Sequence, residues 1–452
     1  MSHQNNDSNL KLWQKSNSTS SPVERFTVGI DKELDLYLAP FDILGSLAHI
    51  RMLEAVGLLV NADWKMLDQE LKKMYKEVTE SGFNIENGVE DIHSQVELLL
   101  TRRLGEIGGR IHSARSRNDQ VLVDLKLFFR DEIEKLVVEV RAVFDLLIRQ
   151  SDKYKEALLP GYTHLQLAMP SSFGLWFGAY AESMVDDLIT LEAAYRVVNK
   201  NPLGSAAGYG SSLGIDRQLT TDLLGFDTLN YNVVYAQMGR GKTERILAAA
   251  MSNIASTLSR LSMDACLYLN PDLNFISFPD ELTTGSSIMP HKKNPDVFEL
   301  IRSRCNRIMA LPNEISMMTT NLPSGYHRDL QLLKEHILPA FDELKDCLRM
   351  TGMMIENIRV RTTILGDEKY KYLFSVEEVN KLVMMGMPFR EAYKKIGSAI
   401  EQGKFSHAGG IVHTHQGSIG NLCNEQIQGL MDTVILKFDF ARVNKALQEL
   451  LK

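Results

Sequence analysis

The chain has 452 residues and a net charge of -7, from 50 Lys+Arg against 57 Asp+Glu. A hydrophobic fraction of 44% with only 13 prolines and 30 glycines excludes a mainly disordered or collagenous chain, and a prior of roughly 150 residues per domain predicts about three domains. The acidic balance gives no general attraction to nucleic acid or to anionic membranes, and no apolar run reaches the ~20 residues that a membrane-spanning helix needs. Cys266, Cys305, Cys347 and Cys423 form no CxxC pair, so no disulfide framework or thiolate metal site is expected. With a polar opening that lacks a signal-peptide pattern, the expected location is the cytoplasm.

In chain order, Ser16 to Pro22 reads as a polar loop. From Asp42, the residues Ile43, Leu47, Ile50, Leu53 and Leu58 predict an imperfect amphipathic helix weakened by Gly57. Two stripes follow, Ile133, Leu136, Val140, Phe144 and Leu147, then Phe173, Phe177, Tyr180, Met184 and Leu188. Each needs a partner to cover it. The clearest seam is Leu247, Met251, Ile254, Leu258 and Leu261, with Ala248, Ala249, Ala250 and Ala255 allowing close backbone approach. A helix resumes over Asp296 to Arg307, and a last one spans Phe440 to Leu451 with Leu447 and Leu451 on one face. Strand signals such as Asn357 to Thr363 are too few for a sheet, so the expected class is all-α with a long central bundle.

Four stretches carry reactive or charge-binding groups. Glu90 to His93, together with Gly108 to Gln120, places guanidinium, hydroxyl and amide donors where a carboxylate could bind; an ordinary helix cap with surface ion pairs explains the same residues equally well. His93 and His112 make no short metal motif, and no metal is expected. Gly161 to Gln166 offers His164, which exchanges protons near neutral pH, beside Thr163; a lone histidine is more often structural. Gly239 to Thr243 ends in GKT, but Ala236 stands where the phosphate loop needs its first glycine, so a nucleotide site is rejected. Lys242, Glu244 and Arg245 are then the polar start of a helix, and Arg240 is left as a carboxylate binder. The strongest stretch, Thr284 to Pro295, combines Ser286, Lys292 and Asn294 in a small-residue loop. These groups suit elimination next to a carboxylate.

The run Gly285-Ser286-Ser287-Ile288-Met289-Pro290-His291-Lys292-Lys293-Asn294-Pro295 resembles the signature of the fumarase/aspartase superfamily. Ser116 to Gln120, Gly161 to Gln166 and Asn201 to Ser205 narrow the resemblance to its argininosuccinate lyase branch, over nearly the whole chain from Trp13. The resemblance implies three helical domains, here 1–112, 113–360 and 361–452, and a homotetramer with active sites built from loops of three subunits. It implies cleavage of N-(L-arginino)succinate to L-arginine and fumarate, with no cofactor. By the same resemblance Ser286 accepts the proton, Lys292 and Asn294 stabilise the aci-carboxylate, His164 serves the departing nitrogen, and Glu299 holds His164. Substrate binding falls to His93, Arg117, Asn118, Thr163, Arg240, Tyr326, Arg328, Gln331 and Lys334.

The chain departs from the family pattern at Gly29, where relatives carry Ser, at Tyr235 and Gly241, where Asp is expected, and at Tyr393, where His is common. Two other readings stand beside this one: a different fumarate-producing lyase, such as an adenylosuccinate-like enzyme, and an inactive structural scaffold of the lens-crystallin kind. The Ser286, Lys292, Asn294 and His164 set argues against the second.

Overall fold

The computed structural model describes residues Ser21–Lys452 except Val412, and it is helical throughout its framework. Trp13 and the start of the predicted polar loop lie outside the described residues, while Ser21–Val28 is a short helix. Among the described residues, β structure amounts to four two-stranded pairings and one isolated bridge between Ser418 and Asn421.

The head is built from α1 (Ala39–Ala55), α2 (Asn61–Ser81) and α3 (Ile92–Leu104). The predicted stripe of α1 is buried at Ile43, Leu47, Ile50 and Leu53, against Leu67, Leu71 and Met74 of α2 and Val96 and Leu100 of α3. Leu58 is the exception, 41% exposed. The helix stops before it because Gly57, at φ +78°, adopts the left-handed conformation of a C-terminal cap. Leu58 N–H then donates to Leu53 C=O and Gly57 N–H to Glu54 C=O, which satisfies carbonyls the last turn would leave open.

The body is a bundle of five long helices: α4 (Arg117–Lys153), α5 (Phe173–Val198), α6 (Lys242–Leu269), α7 (Asp296–Met318) and α8 (Leu333–Glu356). Ser116 starts α4 with a reciprocal cap: its Oγ accepts from Asn118 N–H at 3.3 Å while Asp119 accepts from Ser116 N–H at 2.9 Å. All three predicted stripes lie in one continuous core, and Leu247, Met251, Ile254, Leu258 and Leu261 are fully buried. Each such side chain contributes roughly 1.5–3 kcal/mol of burial. Among the described residues α6 packs most extensively against α7, and Ala248, Ala250 and Ala255 are buried while Ala249 is exposed. Lys242 does begin a helix, and Glu244 accepts the N–H of Gly241 at 2.6 Å, so the GKT stretch is a helix start.

Between α4 and α5 the chain makes a hairpin, β1 (Leu158–Thr163) with β2 (Gln166–Ser172), that the strand pattern did not predict. Its two-residue turn is His164-Leu165, with φ +55° and +58°, and Thr163 faces Gln166 across it. Gly161 is required here, since a Cβ would stand 2.7 Å from the carbonyl oxygen of Met169.

After the bundle, α9 (Ser375–Met384) packs on α10 (Phe389–Glu401), α11 (Asn424–Leu436) lies against α5, and α12 (Phe440–Leu450) returns to the head. The predicted face of α12 is only half-buried at Leu447 and Leu451; Val443 and Leu450, seven apart, go deeper.

Candidate active site

A cavity of about 180 Å³ opens where the head meets the first turns of α4 and α8. Eight of the nine predicted binding residues line it: His93, Arg117, Asn118, Arg240, Tyr326, Arg328, Gln331 and Lys334. The short helices Ser21–Val28 and Asp31–Asp35 supply further walls through Val28, Asp31 and Asp35, and Glu90 and Asp91 close another side. Asp31 and Asp35 were not recognised from sequence. Their four-residue spacing, which puts both carboxylates on one helical face, was the available signal.

The cations of this cavity are held by acids. Lys334, nearly fully buried, donates to Asp31 at 2.7 Å and Asp35 at 2.6 Å. Burial alone would lower its pKa, but Asp35 and Asp31 outweigh that and raise it, so the ammonium is secured. Arg117 meets Glu90 at 2.9 Å, Asp91 at 3.2 Å and Ser94 Oγ at 2.8 Å. Asp91 also caps α3 through the N–H of Ser94. Its carboxyl is raised by burial but lowered more by His93 and Arg117, for a net depression. Arg240 is clamped by Glu244 at 2.9 Å and by the carbonyl of Leu330 at 2.9 Å. Arg328 and Gln331 both donate to the carbonyl of Thr27 at 3.0 Å, tying the N-terminal helix to the cavity rim.

His93 differs from these because its partners lie behind the cavity. Nδ1 is 2.6 Å from Asp42 on α1 and 3.5 Å from Asp124 on α4. Burial would lower its pKa, yet Asp42, then Asp124 and Asp91, raise it to about 9. Ligand-type atoms of Asp42, His93 and Asp124 all lie within 4.8 Å of one another, the one such trio among the described residues. The His93–Asp42 separation is that of a charge-assisted hydrogen bond, with Nδ1–H donating to the Asp42 carboxylate.

The remaining predicted residues do not line this cavity. Thr163 and His164 occupy the exposed tip of the β1–β2 hairpin. Ser286, Lys292 and Asn294 belong to a loop pinched by β3 (Thr284–Gly285) and β4 (Lys293–Asn294), and Glu299 is exposed on the first turn of α7. Within the loop Ser286 Oγ accepts from the N–H groups of Ile288 at 3.3 Å and Met289 at 3.1 Å. Two backbone donors aimed at that oxygen favour its deprotonated form, the property a serine base lacks by itself.

Two of the departures acquire local explanations. At Gly241, φ is +78° and a Cβ would stand 2.6 Å from Cγ2 of Thr319, so the expected Asp does not fit this backbone. Tyr235 is partly exposed with Lys242 Nζ 5.6 Å from its ring centre, a cation–π contact in place of an acid. Gly29, at φ +54°, has open space about it.

A long helical bundle with a polar cavity at its head is the architecture of fumarase/aspartase-class lyases. The family model described as Lyase matches residues 8–310. EDDS lyase in complex with formate superposes with a TM-score of 0.74 at 20% identity, covering 96% of this chain and 94% of that one. Class II fumarase from Schistosoma mansoni gives 0.65 at 16%, covering 89% and 91%. At these identities the likeness is one of fold. Whole-length relatives are narrower: an argininosuccinate lyase of Parabacteroides distasonis is 61% identical over 441 residues, 98% of this chain and 99% of that protein. Another, from Thermotoga neapolitana, is 39% identical over 389 residues, 85% and 97% of the two chains. The chain belongs to the argininosuccinate lyase family.

Proposed function

We infer that this protein catalyses the reversible elimination of N-(L-arginino)succinate to L-arginine and fumarate, as a step of arginine biosynthesis. The observation that carries the reading is a cavity lined by both signs of charge, with Arg117, Arg240, Arg328 and Lys334 facing Asp31, Asp35, Glu90 and Asp91. A substrate bearing several carboxylates together with an amino group and a guanidinium needs such a mixed lining. A simple dicarboxylate would need only the cations.

In the proposed reaction Ser286 Oγ takes a proton from the carbon beside a carboxylate, and Lys292 and Asn294 stabilise the charge that builds on that carboxylate's oxygens. The carbon–nitrogen bond breaks, its electron pair leaves with the guanidino nitrogen, and His164, held by Glu299, returns a proton to it. Asn118 and Thr163 would bind the fumarate carboxylates and Tyr326 and Gln331 the remainder of the substrate. Because hairpin and loop stand apart from the cavity in one chain, we place the complete site at a junction of subunits in a homotetramer, with the division into 1–112, 113–360 and 361–452 as its building plan. No helix of the described residues is long and apolar enough to cross a membrane. Together with four free cysteines this supports a cytoplasmic enzyme.

The test is a substrate panel with product identification by mass spectrometry. Arginine and fumarate should appear from argininosuccinate and nothing from adenylosuccinate. Release of fumarate from adenylosuccinate alone would sink the proposal.

A further inference from the structure

Behind the cavity, three helices each direct one ionisable side chain to a common point: Asp42 from α1, His93 from the start of α3 and Asp124 from α4. Asp42 and Asp124 are each 1% exposed, and His93 alone reaches the cavity lining. Burying three such groups costs several kcal/mol per ion where an apolar trio would cost nothing, so packing is a poor explanation of the cluster. An ionisable cluster with perturbed protonation beside a cavity is a candidate functional position.

We propose that Asp42, seconded by Asp124, is a positioning residue that holds His93 as an imidazolium, so that its free Nε2–H is presented to the cavity as a fixed cationic donor for a substrate carboxylate. The two acids are unequal. Asp42 bonds Nδ1 at 2.6 Å, which leaves Nε2 as the only ring nitrogen His93 can offer outward. Asp124 stands back at 3.5 Å, and neither of its oxygens has a hydrogen-bond partner among the described residues. Burial and the like charge of Asp42 push its carboxyl well above the usual range, against the pull of His93. The principal negative charge on the ring is therefore that of Asp42. Other titratable groups near the cluster are Asp91 and Asp35 among the acids, and Arg115 and His112 among the bases, the last with its pKa lowered by burial and by Arg115. Unlike Arg117 and Lys334, whose acids line the cavity with them, His93 has its strongest partner outside the lining, which leaves its outward face free for an anion.

This inference rests on reading the cavity as the site of the substrate's carboxylates, as proposed above, and its test needs no turnover. Deuterium exchange at the Cε1 of His93, followed by mass spectrometry against pH in the assembled enzyme, reports the charge of that ring. Fumarate, added as probe, is titrated by calorimetry over the same range. In the unaltered enzyme His93 should stay charged past pH 8, and fumarate affinity should fall as the pH passes about 9. In Asp42→Asn both transitions should move down together by at least one pH unit, with affinity at pH 8 reduced ten-fold or more. Asp124→Asn should move them less. A neutral His93 at pH 7 in the unaltered enzyme overturns the inference whether or not any variant folds. An affinity profile that keeps its midpoint in Asp42→Asn also overturns it, because a purely structural role would weaken binding without moving the transition. An enzyme that binds fumarate through a charged His93 yet releases no arginine would support this inference and sink the proposed reaction.

Discussion

The cavity at the head and the loops that carry the reactive groups are built on opposite plans. Around the cavity each cation has been met by an acid of the same chain: Lys334 lies between Asp31 and Asp35, Arg117 beside Glu90 and Asp91, and Arg240 on Glu244. The hairpin tip with Thr163 and His164, and the loop with Ser286 and Lys292, have little around them beyond their own backbone. In the proposed reaction, binding geometry is thus preorganised inside one chain, while the chemistry falls to exposed segments that the proposal closes against a neighbouring subunit. The contrast teaches which half tolerates isolation. A lone chain keeps its cavity and has nothing against which to close its loops.

The sharpest separation of the two regions comes from Ser286→Ala. We expect turnover to fall by roughly 10³-fold, within the span for a removed acid/base group, while calorimetry finds fumarate binding unchanged. Loss of binding in that variant would break the distinction. His164→Asn should lower kcat by about 10²-fold. If hairpin and loop come from different subunits, unfolding and reassembling it together with Ser286→Ala should restore part of the activity in steady-state assays, since some mixed sites carry both native groups.

On the cavity side, Lys334→Met strands two acids in a buried position and should cost about 3–5 kcal/mol in denaturant unfolding, with the cavity lost as well. The pH dependence follows from His93, whose folded pKa of about 9 lies above the ordinary 6.5. Its contribution to stability is full below the ordinary value and is lost as pH rises through about 9. The stability gap between the unaltered protein and His93→Gln should therefore narrow between pH 7 and pH 10. The smallest effect is Gly241→Ala, expected to cost about 1–2 kcal/mol because a Cβ is forced into left-handed backbone; a melting curve checks it.

How far the sequence was legible depended on whether a signal was local. The stripes from Ile133, Phe173 and Leu247 specified α4, α5 and α6, because each carries its apolar period within a single helix. Eight of the residues expected to bind substrate line one cavity, although they come from segments as distant as His93 and Lys334. The hairpin escaped notice because its turn is His164-Leu165, without the Asn or Gly that announces two left-handed residues. Asp42 and Asp124 were invisible for a different reason: each sits inside a long helix with no motif about it, and only packing of α1, α3 and α4 brings them to one imidazole. The pairing of Lys334 with Asp31 and Asp35 was hidden in the same way: its charge was evident from the sequence, its acids were not.

Helix α4 has one further consequence. It begins with Arg117 at the cavity and ends at Lys153, and a helix of 37 residues is about 54 Å between those ends. Even fully extended, the eleven steps from Lys153 to His164 recover at most about 37 Å, so His164 stays no closer than roughly 15 Å to the Arg117 of its own chain. The helix acts as a ruler that holds the hairpin tip of a chain away from that chain's own cavity. If the complete site is shared among subunits as proposed, activity is set by how many copies meet as well as by how well each one folds, and dilution alone should silence it while every helix remains intact.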